Sequence, residues 1–330
     1  MKARQPTSSA AFDPFMRVHS EQMTAMWAKD VVRATLAGWI PRGAEVAIVD
    51  VPVHRNAGDL FILAATAHLL AELECRVVYR AGIRDYRASR AGRQIRPGTV
   101  LIGLGGGNFG DVYPRYQDLR ERVVADFPRN RIVILPQTIH FADRRARDRA
   151  TNRLGAHPDL RIAVRDRTSL ETARAFTPHV ELLPDLVHAL VEDEGSEANA
   201  ARADGTVFLM RRDREGNPAT ARKDRSVDWP DIFPELFSRL ALAAAVMPAA
   251  PAWLSTRVHD RWTGYAGDLL CRGLAWMRGV DHLVTDRLHA AILARLAGRR
   301  VTLHDPAYGK LAAYYDAWWR DDPAVQLRRQ

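Results

Sequence analysis

Short runs of consecutive apolar residues alternate along this chain with longer stretches of helical spacing. Val46-Ala47-Ile48-Val49 reads as a buried strand, followed by a polar loop from His54 to Asp59 and a helical stretch from Leu60 to Leu73. Strands are predicted next at Arg76 to Tyr79, Val100 to Gly103, Ile132 to Leu135, Ile162 to Val164 and Val180 to Leu183. Between them, helices are predicted from Pro114 to Phe127 and from Arg144 to Leu154, with a further one capped by Thr168 or Ser169 and ending near Phe176. Beyond a polar, small-residue stretch from Val191 to Gly205 the alternation resumes. Strands fall at Val207 to Met210, Leu283-Val284 and Val301 to Leu303, and helices at Phe233 to Ala245, Tyr265 to Met277, Leu288 to Ala297 and Leu311 to Trp319. Unbroken apolar strands alternating with helices mean parallel sheets covered on both faces. The fold predicted is therefore α/β, with two doubly wound, Rossmann-like domains facing a cleft. Their boundary is drawn at residues 1–192 and 193–330.

The polar positions matter most where a strand hands over to a helix, because ligands of such sheets bind at the carboxyl ends of strands. Gly105-Gly106-Gly107-Asn108-Phe109-Gly110-Asp111 follows the third strand, and its glycines allow sharp turns and close backbone approach to a ligand. It matches neither a dinucleotide fingerprint nor a Walker loop. His54-Arg55-Asn56-Ala57-Gly58-Asp59 and Pro136-Gln137-Thr138-Ile139-His140 follow two other strands in the same way. Each of the three taken singly is also explained by turn chemistry. Thr285-Asp286-Arg287-Leu288-His289 opens a helix, where the dipole and unpaired N–H groups favour an anion. There Arg287 suits bidentate capture of phosphate or carboxylate, and His289 suits proton transfer near neutral pH.

Composition narrows the field. The 330 residues carry 48 Lys and Arg against 39 Asp and Glu, a net charge of +9. The excess is mostly Arg, which fits an anionic ligand. Acids are interleaved with the arginines, as in Arg144 to Arg149, which points to solvated helix faces rather than nucleic acid. Cys75 and Cys271 have no paired spacing for a disulfide or a zinc site and are expected to be buried, inert thiols. Met1 to Ser20 has no continuous apolar core of a secretory leader, and the most apolar run, Leu240 to Leu254, is interrupted by Pro248 and Pro251. A cytoplasmic protein without a membrane span is expected, with room for a peripheral contact at the inner membrane through basic surface and Trp253, Trp262 or Trp318-Trp319. The expectation for most of these tryptophans is the core.

The ordered set Gly105 to Asp111, Pro136-Gln137-Thr138, and Thr285 to His289 followed by Tyr308-Gly309-Lys310 resembles the polysaccharide pyruvyltransferase family. Asn56-Ala57-Gly58-Asp59 and Arg165-Asp166-Arg167-Thr168-Ser169 match its Asn-x-Gly-Asp and Arg-Asp-x-x-Ser patterns, and the similarity runs from about Asp50 to Trp318. Two positions depart from it: Asp305-Pro306-Ala307 stands where Asp-Asn-Ser is usual, and Ala290 where Gly is usual.

The resemblance implies a two-domain fold similar to GT-B glycosyltransferases, phosphoenolpyruvate as donor co-substrate, and an acceptor hexose on a polysaccharide or lipid-linked oligosaccharide. It places Arg287 and His289 at donor-binding and catalytic positions, with Arg165 a further cleft residue. On that basis the donor is assigned to Arg287, Leu288, His289, Arg165 and Lys310. Proton transfer is assigned to His289, with Asp111 or Asp59 as base, and the acceptor to Asn56, Asn108, Gln137 and Thr138. No metal and no resident cofactor are expected. A nucleotide-sugar glycosyltransferase and a non-catalytic glycan-assembly protein on the same fold remain the alternatives.

Overall fold

The computed structural model describes residues 25–190, 205–212, 226–305 and 309–329. Most of the stretch read as a linker, and Pro306 to Tyr308 of the motif before Gly309, lie outside the described residues.

Two parallel sheets organise the chain. The first contains β1 (Glu45–Val49), β2 (Arg76–Ala81), β3 (Val100–Gly103), β4 (Gly106–Gly110), β5 (Ile132–His140), β6 (Leu160–Val164) and β7 (Val180–Leu182). Its order is β2-β1-β3-β5-β6-β7, with β4 extending the β3 side along the second half of β5. The second sheet has the order β12-β11-β10-β8-β9, from β8 (Thr206–Leu209), β9 (Ser226–Val227), β10 (His282–Thr285), β11 (Arg300–His304) and β12 (Val325–Arg328). Every pairing in both sheets is parallel, as continuous apolar strands predict. The chain is thus α/β with two parallel-sheet domains in a GT-B-like arrangement.

Strand alternation builds two cores. Val46 and Ile48 of β1, Val100 and Ile102 of β3, and Val133 and Leu135 of β5 face one way. Ala47, Val49, Leu101, Ile132 and Ile134 face the other. The second set packs on α3 (Ala88–Gln94), α4 (Pro114–Asp126) and α5 (Arg144–Gly155). The first packs on α1 (Ala25–Trp39) and α2 (Ala57–Glu72), and its apolar cluster continues without a break into the second domain. There it takes in α7 (Trp229–Ile232), α8 (Leu236–Ala249), α9 (Ala252–Arg278), α10 (Leu288–Leu296) and the residues Phe233, Leu303 and Trp319. α2 carries eleven buried residues because it is enclosed from both sides, which explains why its sequence shows little amphipathic contrast. Gly273 lets α9 approach: a Cβ there would lie 3.3 Å from the Phe61 ring and 3.2 Å from Leu293.

Several expectations are corrected. The glycine segment is strand β4, not a loop, and Pro136 to His140 continue β5. Glycine is required where these strands converge, since a Cβ on Gly105 would stand 2.7 Å from the Pro136 carbonyl oxygen and one on Gly110 1.7 Å from that of His140. α2 begins at Ala57, so Asp59 lies in its first turn. α6 (Arg167–Ala173) is capped by Asp166, whose carboxylate accepts from the Ser169 amide at 2.7 Å and the Ser169 hydroxyl at 2.8 Å. α9 runs for 27 residues where only its second half was predicted. Cys271, expected to be buried, is exposed, and Cys75 is half-buried.

Trp262 and Trp319 are buried, and Trp318 is half-buried with its indole N–H donating to the Arg165 carbonyl at 2.8 Å. These rings hold the fold together; the Trp253 side chain lies outside the described residues. Among those residues, no helix is long and apolar enough to cross a membrane.

Candidate active site

The carboxyl ends of both sheets open onto one cleft with two joined compartments. The inner compartment, about 160 Å³, is lined from the first domain by Asn56, Asp59, Gly107, Thr138, His140, Arg165 and Asp166. The second domain contributes Arg211, Trp229, Asp286, Arg287, Leu288, His289 and Lys310. The outer compartment, about 580 Å³, shares Asn56, Asp59, Gly107, Tyr113, Arg211, Arg287 and Lys310 with it and adds His54, Arg55, Asn108, Tyr116, Arg212 and Asp228.

Helix starts converge here. Asn56 caps α2, accepting from the Gly58 amide at 3.2 Å, and its own amide donates to Asp59 at 3.0 Å. Arg287 is the cap residue of α10, its amide donating to the Thr285 hydroxyl at 3.0 Å. Gly309, at φ +67°, caps α11 (Lys310–Trp318) and so places Lys310 at the cleft. Unpaired amides and the positive dipole end are common to such positions.

The cationic side chains are held by buried carboxylates. Asp185, fully buried, accepts from Arg165 Nη1 at 2.5 Å and lies 3.4 Å from His289 Nε2. Burial opposes its ionisation, but the His289 imidazole, and Arg165 after it, outweigh that and hold the carboxyl well below the usual range. Arg165 Nε also donates to the Thr138 hydroxyl at 2.9 Å. Asp228 faces Arg287 as a fork, with Oδ2–Nη2 at 2.7 Å and Oδ1–Nε at 2.6 Å. Lys310 lies against the glycine strand: a Cβ on Gly107 would fall 2.1 Å from its Nζ and 3.2 Å from Arg165 Nη2. Gly58 does the same for His289, since a Cβ there would sit 2.2 Å from Nδ1. The two glycines are thus seats for the lysine and the imidazole.

Two polar atoms in the inner wall, Trp229 Nε1 and Asp286 Oδ2, are buried without a hydrogen-bond partner among the described residues. Burial also pushes the Asp286 carboxyl above its ordinary value.

The cleft collects Asn56, Asp59, Asn108, Thr138, Arg165, Arg287, Leu288, His289 and Lys310, and leaves out two residues named with them. Asp111 accepts from the Ala142 amide at 3.0 Å and the Asp143 amide at 2.6 Å and lines neither compartment. Gln137 is fully buried, donating to the Leu104 carbonyl at 2.7 Å and to Asn108 Oδ1 at 3.3 Å, and braces the floor instead. Asn108 in turn donates to Asp50 at 3.1 Å and accepts from Arg120 at 2.9 Å.

Asp185, Arg211 and Asp228 were missed. Arg211 follows β8 as Arg287 follows β10, so its strand-end position was the available signal. Its amide donates to Asp286 at 2.8 Å.

Comparison with known proteins bears on the family and the fold. The family model described as "Polysaccharide pyruvyl transferase" matches residues 56–241. EpsO of Bacillus subtilis, whose name gives pyruvyl transferase as a provisional assignment, is 30% identical over 87% of this chain and 89% of its own length. Pyruvyl transferase 1 of Schizosaccharomyces pombe is 31% identical over 83% of this chain and 69% of its own. A crystal structure of an uncharacterised protein from Klebsiella pneumoniae superposes with a TM-score of 0.55 at 18% identity, covering 91% of this chain and 98% of that one, and bears on the fold alone. With the family model covering more than half of its length, this chain belongs to the polysaccharide pyruvyl transferase family.

Proposed function

We propose that the protein transfers the enolpyruvyl unit of phosphoenolpyruvate to a hexose of an exopolysaccharide or its lipid-linked precursor, forming a pyruvate ketal. The observation that carries this reading is the inner compartment itself. Arg165, Arg211, Arg287 and Lys310 gather there beside the α10 N-terminus, a set suited to a compact donor bearing both phosphate and carboxylate.

The chemistry asks for a proton at C3 of the enol, stabilised negative charge on the departing phosphate, and removal of a proton from a sugar hydroxyl. In our scheme His289 delivers the proton to C3, with the Asp185 carboxylate behind it as an anionic partner. C2 then bears cationic character, the sugar oxygen bonds to it, and the C2–O bond to phosphate breaks. Arg287 and Arg165, pre-oriented by Asp228 and Asp185, hold the anion as it leaves. A second hydroxyl of the same sugar closes the ketal at C2 and gives up its proton. Asp59 is the base in this scheme rather than Asp111, because it lines both compartments. The basic side chains neutralise the donor, and no step is assigned to a metal ion.

Incubation with phosphoenolpyruvate and saccharide acceptors, set against UDP- and GDP-sugars, tests the reading. Phosphate release with a pyruvate-sized mass gain on the glycan is expected, and transfer from a nucleotide sugar would overturn it. His289→Ala and Arg287→Ala are each expected to abolish transfer in folded protein, and near-wild-type turnover in either would remove that residue's role.

A further inference from the structure

The outer compartment has more than three times the volume of the inner one and, beyond the residues the two share, adds a distinct set of its own. Its first-domain wall carries three rings, His54, Tyr113 and Tyr116, beside the polar Arg55, Asn56, Asp59 and Asn108. Tyr113 is the cap residue of α4 and Tyr116 lies three residues on, so the spacing of one helical turn turns both rings to the same side. Pro114, at the first helical position, fixes where that turn starts. The Tyr113 and Tyr116 rings meet at 6.2 Å and 90°, and His54 meets Tyr116 at 6.3 Å and 83°. Three rings at right angles form a stiff, stepped wall.

This wall is tied to Asp59. His54 Nε2 lies 3.2 Å from Asp59 Oδ2, the oxygen that also accepts from Asn56. The carboxylate therefore stands where the aromatic wall ends and the inner compartment begins. A pyranose has an apolar C–H face and polar hydroxyl edges. Laid against rings, it would turn its hydroxyls to Asp59 and toward the inner compartment.

We propose that the outer compartment is a saccharide subsite, in which Tyr116, Tyr113 and His54 support the C–H face of a hexopyranose and Asp59 receives its reacting hydroxyl edge. The proposal deepens the pyruvyl-transfer reading and rests on it for the identity of the donor. Tyr116 is the most diagnostic residue because it lines the outer compartment and not the inner one. What it supplies is a ring, so Tyr116→Phe preserves binding whereas Tyr116→Ala removes it.

The experiment is saturation-transfer NMR on the full chain with the methyl glycosides of glucose, galactose and mannose, alongside calorimetry with phosphoenolpyruvate. Wild-type protein transfers saturation to the ring C–H protons of at least one glycoside. Tyr116→Phe keeps that signal, and Tyr116→Ala weakens affinity by about tenfold, with donor affinity held within about twofold in both. Tyr116→Leu, which keeps apolar bulk but removes the ring and is also expected to weaken glycoside binding, serves if Tyr116→Ala fails to fold. Donor binding with no glycoside signal in wild-type protein overturns the subsite and leaves the donor reading standing. Glycoside binding unaffected by ring removal also overturns it. Glycoside binding without donor binding sinks the pyruvyl reading while keeping the subsite.

Discussion

His289 and Lys310 depend on neighbours that have no side chain. An ordinary helix position gains from Gly→Ala, by about 1 kcal/mol. At Gly58, in the first turn of α2, the added methyl would fall 2.2 Å from His289 Nδ1. Gly58→Ala is therefore expected to cut kcat by about a hundredfold, the scale of a misplaced catalytic group, while the melting temperature changes little. Unchanged kcat would mean that the imbalance is absorbed without moving the imidazole.

Asp50 gives a second test at this scale. It is buried at φ +68° against Arg120 and Asn108, and burial raises its carboxyl to about 7. The folded protein thus holds this proton more tightly than the unfolded chain does. Its contribution to stability is full below the ordinary value of 3.8 and lost as pH rises to about 7. Asp50→Asn, which cannot ionise, is expected to flatten the stability profile between those limits; a slope identical to wild type would refute the assignment. None of this was legible beforehand, because a residue's burial and its partners from distant segments decide it. Asn108, Arg287 and His289 were legible because strand-end positions and residue chemistry are local, whereas Arg165 was indicated by the family resemblance alone. Asp185 and Asp228 were not, since each acts by pairing with an arginine or histidine far away in sequence.

Among the elements, strands β1, β3 and β6 and helices α4, α5 and α10 fall within a residue or two of the reading from apolar spacing. The failures share a cause. β4 and the second half of β5 are built from glycine and polar residues, so no hydrophobic period announces them, and only their mutual approach makes them strands. Half of α9 was lost because a helix packed on another domain's helix need not show one clean apolar stripe. Where α9 meets α2, Phe61 is fully buried, lies 3.3 Å from where a Cβ on Gly273 would stand, and is edge-on to Trp229 at 5.4 Å and 89°. Phe61→Ala is expected to cost about 3–5 kcal/mol in denaturant unfolding. Trp229 lines the inner compartment, so donor affinity should fall as well; a loss of stability with undiminished donor binding would show that the α2–α9 contact does not support the site.

On the scale of the whole molecule, one continuous apolar cluster joins the two sheets, and the cleft lies above it at the carboxyl ends of both. Sequence alone indicated two parallel sheets and a cleft between them. That the inner face of one sheet and the helices of the other share a core was not visible, because contacts between domains leave no periodic trace. The central claim is that this frame brings basic side chains from both domains around one small trianion. Calorimetric titration of phosphoenolpyruvate into the full chain, with inorganic phosphate as comparison, tests it most directly. Saturable binding at one site is expected, at least about tenfold tighter than phosphate and weakened in Lys310→Met and in Arg211→Met. Absence of saturable binding to folded protein, or binding that neither substitution alters, would contradict it.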